Sequence, residues 1–269
     1  MTVKLQVLIS TCNDRLAAVP GMLHAQREDV SYIVVHQLFS ETSGAALTDA
    51  TAYLQSRPDV QLTVSASRGL SLSRNIALGL ADAPYLLLAD DDIQFTSDAF
   101  NTIINAMAQQ ADAAAITFRY CDANGQYRKS YPLVAGRRRW WNVFKVSSIE
   151  VCLRRDFIAR YHIKFDPKFG LGAEYPVSEE NILLSDILQS GGTITYLPAD
   201  IAIHPNETSG ANWDERYLRA RGALFRRVFG IKGIGMLLLF FAKHSKTISK
   251  KLPLRQALKL TMIAFWDFV

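Results

Sequence analysis

With 269 residues, 49% of them hydrophobic and 20% charged, the chain can bury a sizeable core; this excludes disorder and allows one large domain or a domain with an appendage. Its three cysteines, Cys12, Cys121 and Cys152, are far apart and form no CxxC pair, so neither a disulfide framework nor a cysteine zinc site is indicated, and a reducing cytoplasm fits. The net charge of +5 conceals an asymmetry: residues 215–269 hold 12 Lys/Arg against 2 Asp/Glu, a balance of +10, whereas residues 1–214 hold 18 against 23, a balance of −5.

An acidic body thus carries a basic C-terminal segment, and the change in composition near residue 214 divides the chain into residues 1–214 and 215–269. The opening run MTVKLQVLISTCN holds only a short apolar stretch. It suits a buried strand rather than a signal peptide, which predicts a chain that stays inside the cell.

KLQVLIST reads as a first strand, nearly continuously apolar as buried parallel strands are. A helical stretch is expected near residues 15–27, and SYIVVHQLF reads as the second strand. VQLTVSAS gives a third strand, SLSRNIALGLAD a helix, and PYLLLADDD a fourth buried strand running into acidic residues. Strands alternating with helices over the first 115 residues predict an α/β fold with an open, mostly parallel sheet and flanking helices. In such sheets ligands sit beyond the carboxyl ends of the strands, where both STCND and DDD fall. Farther on, AAAITFRYCD, the turn DANGQ and YRKSYPLV predict a hairpin, and KVSSIEVCLRRDFI a strand entering a helix. EENILLSDILQSGG predicts a helix stopped by Gly191 and Gly192, and TITYLPADIAIHP a final strand.

Asp90, Asp91 and Asp92 repel one another at a strand end, which suits either a solvated acidic turn or a set of hard oxygen ligands. Mg²⁺ and Mn²⁺ use one or two such carboxylates and complete their shell with substrate phosphates. Arg68 and Arg74 lie just upstream, where they would either meet the negative charge of a nucleotide diphosphate or serve as surface cations.

These residues resemble a known family. LADDD after an apolar strand resembles the DXD motif of GT-A (Rossmann-like) glycosyltransferases, and SLSRNIAL resembles the segment that family 2 enzymes place before it. FGLGAEYPVSEENILLSDILQSGG is similar to that family's glycine-rich approach, acidic pair and glycine-terminated helix, and the resemblance covers roughly residues 3–210. It implies an inverting transfer with a divalent metal, Mn²⁺ or Mg²⁺. Aligned on the terminal glycine, Glu179 and Glu180 fall on the acidic pair, with Glu180 on the base and Glu179 orienting the acceptor or supporting its neighbour. Without the family, both read as acids favoured in a first helical turn, with Ser178 as a cap. The resemblance makes Asp92 the metal ligand and sets Asp90 against the ribose or a metal-bound water; Asp91 stays ambiguous. His204 is either a further metal ligand or structural. The first strand end, with Thr11 and Asn13, would read the nucleotide base. After the second strand the family's acid is missing, and Gln37 stands ready to hydrogen-bond a uracil edge instead.

GRRRWWN, residues 136–142, sets three arginines beside two tryptophans, as a substrate lid would. In the basic segment, FGIKGIGMLLLFFAK is far shorter than the roughly 20 apolar residues of a membrane span. Its interleaved cationic and apolar patches predict amphipathic helices that lie on an anionic membrane or pack on the body; nucleic acid is a poor partner for such apolar stretches. The resemblance therefore implies a transferase moving a sugar from a nucleotide-diphosphate donor, a UDP-sugar first, to a saccharide or lipid-linked saccharide acceptor. The setting would be assembly of surface polysaccharide at the cytoplasmic membrane face. The rivals are a nucleotidyltransferase on a related sheet, whose basic glycine-rich loop LISTCNDRLAAVPG does not supply, and a membrane-bound scaffold without turnover.

Overall fold

The apolar run that opens the chain becomes β1 (Leu5–Cys12), buried at every position but the last. It lies between two parallel neighbours, β2 (Val30–Gln37) and β4 (Tyr85–Asp90), and β3 (Val60–Ser65) adds to β2, also in parallel. The structure, a computed structural model, describes residues 2–40, 43–204 and 213–268. Connections between these strands include α1 (Ala45–Ser56) and α2 (Leu70–Leu80). Next come β5 (Gln94–Phe95), α3 (Ala99–Gln109), β6 (Ala113–Cys121), β7 (Gly136–Arg138), β8 (Val151–Arg154), α4 (Arg155–Arg160), α5 (Glu179–Gln189) and β9 (Thr193–Ile203). The sheet order is β3-β2-β1-β4-β8-β6-β9-β5, with β7 also on β9. The mostly parallel, helix-flanked α/β sheet expected from the sequence is present, with β8 running antiparallel to both β4 and β6.

Successive strand residues point to opposite faces, so each face of the sheet has its own core. Val7, Ile9, Leu87 and Ala89 pack with Phe100, Ile103 and Met107 of α3 on one side. Leu8, Leu86 and Leu88 pack with Ala77 of α2 and Leu183, Leu184 and Ile187 of α5 on the other. This three-layer arrangement fixes α2 and α5 on one face, and the ends of β1, β2 and β4 open between them.

Two local expectations change. Residues 15–27 do not form a regular helix; the chain makes 3-10 turns over Asn13–Met22, where Pro20 has no N–H to continue a ladder. YRKSYPLV does not pair with β6: the turn closes, with the Asp122 N–H donating to the Gln126 carbonyl at 2.9 Å, but no strand forms over residues 127–134. The strand that follows is instead β7, from the GRRRWWN segment.

The basic segment forms α6 (Glu215–Phe229), α7 (Gly233–Ile248) and α8 (Leu254–Asp267). Asp214 caps α6 by accepting from the Tyr217 N–H at 2.8 Å. Ala220, Ala223, Leu224 and Phe225 of α6 and Phe265 of α8 share one apolar cluster with Phe169, Tyr175 and Ile182 of the body. Arg227 adds ion pairs to Asp166 and Asp186 at 2.9 Å. α6 is therefore packed as part of the core, not suspended from it.

Candidate active site

The strand ends and the N-termini of α5 and α6 enclose a cleft of about 510 Å³. On its α2 wall, the polar side chains of SLSRN all point inward and are used. Ser71 Oγ donates to the Phe169 carbonyl at 2.6 Å, Ser73 Oγ to Ser10 Oγ of β1 at 2.9 Å, and the Asn75 amide exchanges two 2.8 Å bonds with the Phe165 backbone. Arg74, fully buried, donates from Nη1 to Glu179 Oε1 at 2.8 Å and from Nη2 to Asp90 Oδ1 at 2.7 Å. The glycine-rich approach completes this frame. Gly172 has φ +83, and a Cβ there would lie 3.2 Å from Gly69 Cα, so the loop lies close against the start of α2 only as glycine.

The expectation that Arg74 meets a donor phosphate is thus corrected: it lies beneath the cleft with both terminal nitrogens bound to carboxylates. Arg68 does line the cleft, its guanidinium 5.4 Å from the centre of the Phe39 ring. Asn13 does not line it; its side-chain oxygen accepts from the Phe39 N–H at 3.2 Å and its carbonyl contacts His36 Nε2 at 2.9 Å. Asn13 has φ +48, a conformation asparagine tolerates. Thr11 and Gln37 are both on the cleft wall. Gln37 donates from its amide to Ser67 Oγ at 2.9 Å and to the Gly69 carbonyl at 3.1 Å, which leaves its carbonyl oxygen as the group free to read a ligand.

The three aspartates have different surroundings. Asp90 is held by Arg74. Asp91 is buried and bound by Arg15 at 2.9 and 3.0 Å; burial pushes its carboxyl up while Arg15 opposes the shift. Asp92 is partly exposed, contacts Arg15 at 3.2 Å and has Oδ1 3.5 Å from His204 Nε2. That Oδ1 is buried without a hydrogen-bond donor, and an oxygen so placed beside an imidazole nitrogen suits a hard or borderline divalent cation.

Glu179 and Glu180 open α5. The cap expected at Ser178 is absent: the residue is left-handed, φ +80, and its buried hydroxyl bonds to nothing. Glu180 borders the cleft with protein packed around its carboxyl, and burial, then the Glu179 charge, raises its pKa to about 8. A carboxyl tuned upward at a cleft wall has the chemistry of a general base.

The GRRRWWN segment lies away from the cleft, which corrects the lid expectation. Arg138 is buried, bonded to Thr117 Oγ1 at 3.1 Å and stacked 4.4 Å from the Tyr196 ring, and Trp140 packs on Phe229. Sequence reasoning missed Arg15, Phe39, Lys129 and Arg221 in the cleft. Arg15 had a local signal, since it closely follows STCND at the same strand end. Lys129 had none: it contacts the buried Glu150, and its ammonium also donates to the Lys145 carbonyl at 2.6 Å and Ser147 Oγ at 3.0 Å, stapling the cleft-lining segment 145–149.

Residues 23–158, just over half the chain, match the family described as glycosyl transferase family 2. The chain belongs to that family. Its fold also matches crystal structures of residues 1–349 of S. aureus TarS. One aligns at TM-score 0.69 and 13% identity over 98% of this chain and 81% of that one; the UDP-GlcNAc complex aligns at 0.71 and 14% over 99% and 80%. A UDP complex of the same protein aligns at 0.66 and 15%. No curated protein sequence matches the chain. The GT-A fold and a family 2 glycosyltransferase identity thus agree with the resemblance seen in the motifs.

Proposed function

We propose that this cleft transfers a sugar from a UDP-sugar to a saccharide or lipid-linked saccharide hydroxyl with inversion. The observation that carries the reading is Arg74, which joins the Asp90 strand end and the Glu179–Glu180 helix start into one rigid unit. Glu180 accepts the proton of the acceptor hydroxyl as its oxygen bonds to the anomeric carbon, and the bond to the diphosphate breaks with its electron pair on the leaving oxygen. Asp92 and His204, with Asp90 nearby, would hold a divalent cation, Mn²⁺ or Mg²⁺, which when bound neutralises charge on the diphosphate. Thr11 lines the nucleotide end. Gln37 Oε1 accepts a base N–H there, which uracil supplies from its ring nitrogen. TarS, of the same fold, has been crystallised with UDP-GlcNAc and with UDP.

The setting is the cytoplasmic face of a membrane, in surface polysaccharide assembly. Among the described residues no helix is long and apolar enough to cross a membrane. Leu238, Leu239 and Trp266 are more than half exposed on α7 and α8, interspersed with exposed Lys232, Lys243, Lys246 and Lys259. Exposed apolar side chains in the same helices as exposed lysines match an anionic interface. Thermal-shift titration with UDP-, CDP-, GDP- and dTDP-sugars in Mn²⁺ tests the donor: UDP-sugars raise the melting temperature most, and a larger rise with CDP-sugars would overturn the assignment.

A further inference from the structure

Three arginines reach the cleft, and their surroundings differ. Arg15 is bound to Asp91 and Asp92, and Arg68 lies over Phe39. Arg221, carried by α6, has no carboxylate partner among the described residues. Its guanidinium lies 4.6 Å from the centre of the Tyr217 ring, which also lines the cleft, and its Nε is buried without an acceptor. A guanidinium on the cleft wall with no carboxylate among the described residues to neutralise it suits an anion that arrives with a ligand.

The packing of α6 decides which ligand. Ile182, two residues after Glu180, shares an apolar cluster with Ala220, Ala223 and Leu224, which brings Arg221 to the wall that carries the two glutamates. Burial and Glu179 raise the Glu180 proton affinity, and Arg221 is among the charges that oppose them. In an inverting displacement the attacking hydroxyl and the departing diphosphate lie on opposite sides of the reacting carbon. A cation on the base's wall therefore faces the acceptor, while Asp90, Asp92 and His204 face the diphosphate.

Resting on the glycosyl-transfer reading, we propose that Arg221 is a specificity residue for a phosphate group on the acceptor, so that the preferred acceptor is a phosphate-bearing saccharide, polyol or lipid-linked saccharide. The basic C-terminal segment then serves the active site directly as well as any surface on which the protein sits.

The test uses the full chain and three variants: Arg221→Met, which keeps the stem and removes the charge, Arg221→Lys, and Arg68→Met as a control. Saturation-transfer NMR titrations with glycerol 3-phosphate and with glycerol, each with and without UDP, are paired with calorimetric titration of UDP. Glycerol 3-phosphate should bind wild type better than glycerol, and Arg221→Met should lose about tenfold or more of that affinity. Arg221→Lys should recover part of it, and UDP affinity should stay within about twofold in both. A phosphate-indifferent wild type, or an Arg221→Met that loses UDP affinity and keeps glycerol 3-phosphate, overturns the proposal. Wild type that ignores UDP would instead contradict the donor reading, while the titrations without UDP still report on Arg221. Circular dichroism of each variant separates loss of the contact from loss of the fold, with the lysine variant as the folded reference.

Discussion

Arg74 and Glu179, 105 positions apart in sequence, meet through a 2.8 Å hydrogen bond in the interior, and the other arm of the same guanidinium holds Asp90 at 2.7 Å. One buried cation thus sets the spacing between the strand that ends in DDD and the helix that begins with EE. Arg74→Met should destabilise the protein by about 3–5 kcal/mol, because two carboxylates lose their partner in a poorly solvated place. Arg74→Lys should restore little, since a point-charge ammonium cannot span both acids as a planar fork does. Urea unfolding of the three proteins checks this; a lysine variant as stable as wild type would show that charge alone suffices.

Asp92 should govern how metal couples to nucleotide. Its orphaned Oδ1 beside His204 predicts that Asp92→Asn weakens UDP binding in Mn²⁺ by about tenfold or more, and leaves the metal-free affinity nearly unchanged. Calorimetry with and without Mn²⁺ decides, and equal affinities in all four titrations would remove Asp92 from a metal site.

The contact between α6 and α8 depends on Gly222. A Cβ there would lie 2.1 Å from the Thr261 carbonyl oxygen, a backbone atom that cannot yield locally. Gly222→Ala should cost about 1–3 kcal/mol by forcing the helices apart. Gly235→Ala, with nothing within 4 Å of the added methyl, should be neutral or stabilise by about 0.5 kcal/mol. Thermal unfolding of the pair is the measurement, and a similar fall for both would point away from the helix contact.

Membrane attachment is better probed by surface substitution than by truncation after Asp214, which would strip α6 from the shared core. Leu238→Glu with Leu239→Glu should abolish most sedimentation with phosphatidylglycerol-rich vesicles while the fold persists. High salt should reduce wild-type binding without eliminating it, since screening acts on the lysines and not on apolar insertion. Unchanged sedimentation of the folded double variant would exclude this face.

The sequence made the sheet legible because buried parallel strands are written as unbroken apolar runs, as in LQVLISTC and YLLLAD. The DDD and EE clusters were visible through the motifs they share with the family, since acids at a strand end or in a first helical turn also have plain structural uses. Arg74 was misread because nothing local distinguishes a buried fork from a surface arginine. Its burial follows from α2 lying against α5, a tertiary fact. α1 left little trace, since it buries only Ala50 and Leu54. The hairpin expected after β6 stops at its turn: Tyr127 is held by Asp200, Lys129 and Tyr131 are held by the buried Glu150, and Pro132 has no N–H for a ladder. Charge asymmetry revealed the C-terminal segment, but its entry into the cleft through Arg221 depends on packing around small residues that composition does not show.

Glu180 is the residue on which the account turns. A raised carboxyl binds its proton more tightly in the folded than in the unfolded chain. The stability this contributes is fully present below the ordinary glutamate pKa and is lost as pH rises toward about 8. The base form appears over the same range, so kcat/KM should climb with pH up to about 8. The most direct measurement is therefore the pH profile of sugar transfer from a UDP-sugar for wild type and Glu180→Gln, with UDP affinity and melting temperature recorded on the same samples. Glu180→Gln should bind UDP normally, melt higher than wild type above pH 8, and turn over at least about a hundredfold more slowly with the pH rise abolished. A glutamine variant that transfers at the wild-type rate with the same pH profile would contradict the assignment of Glu180 as the base.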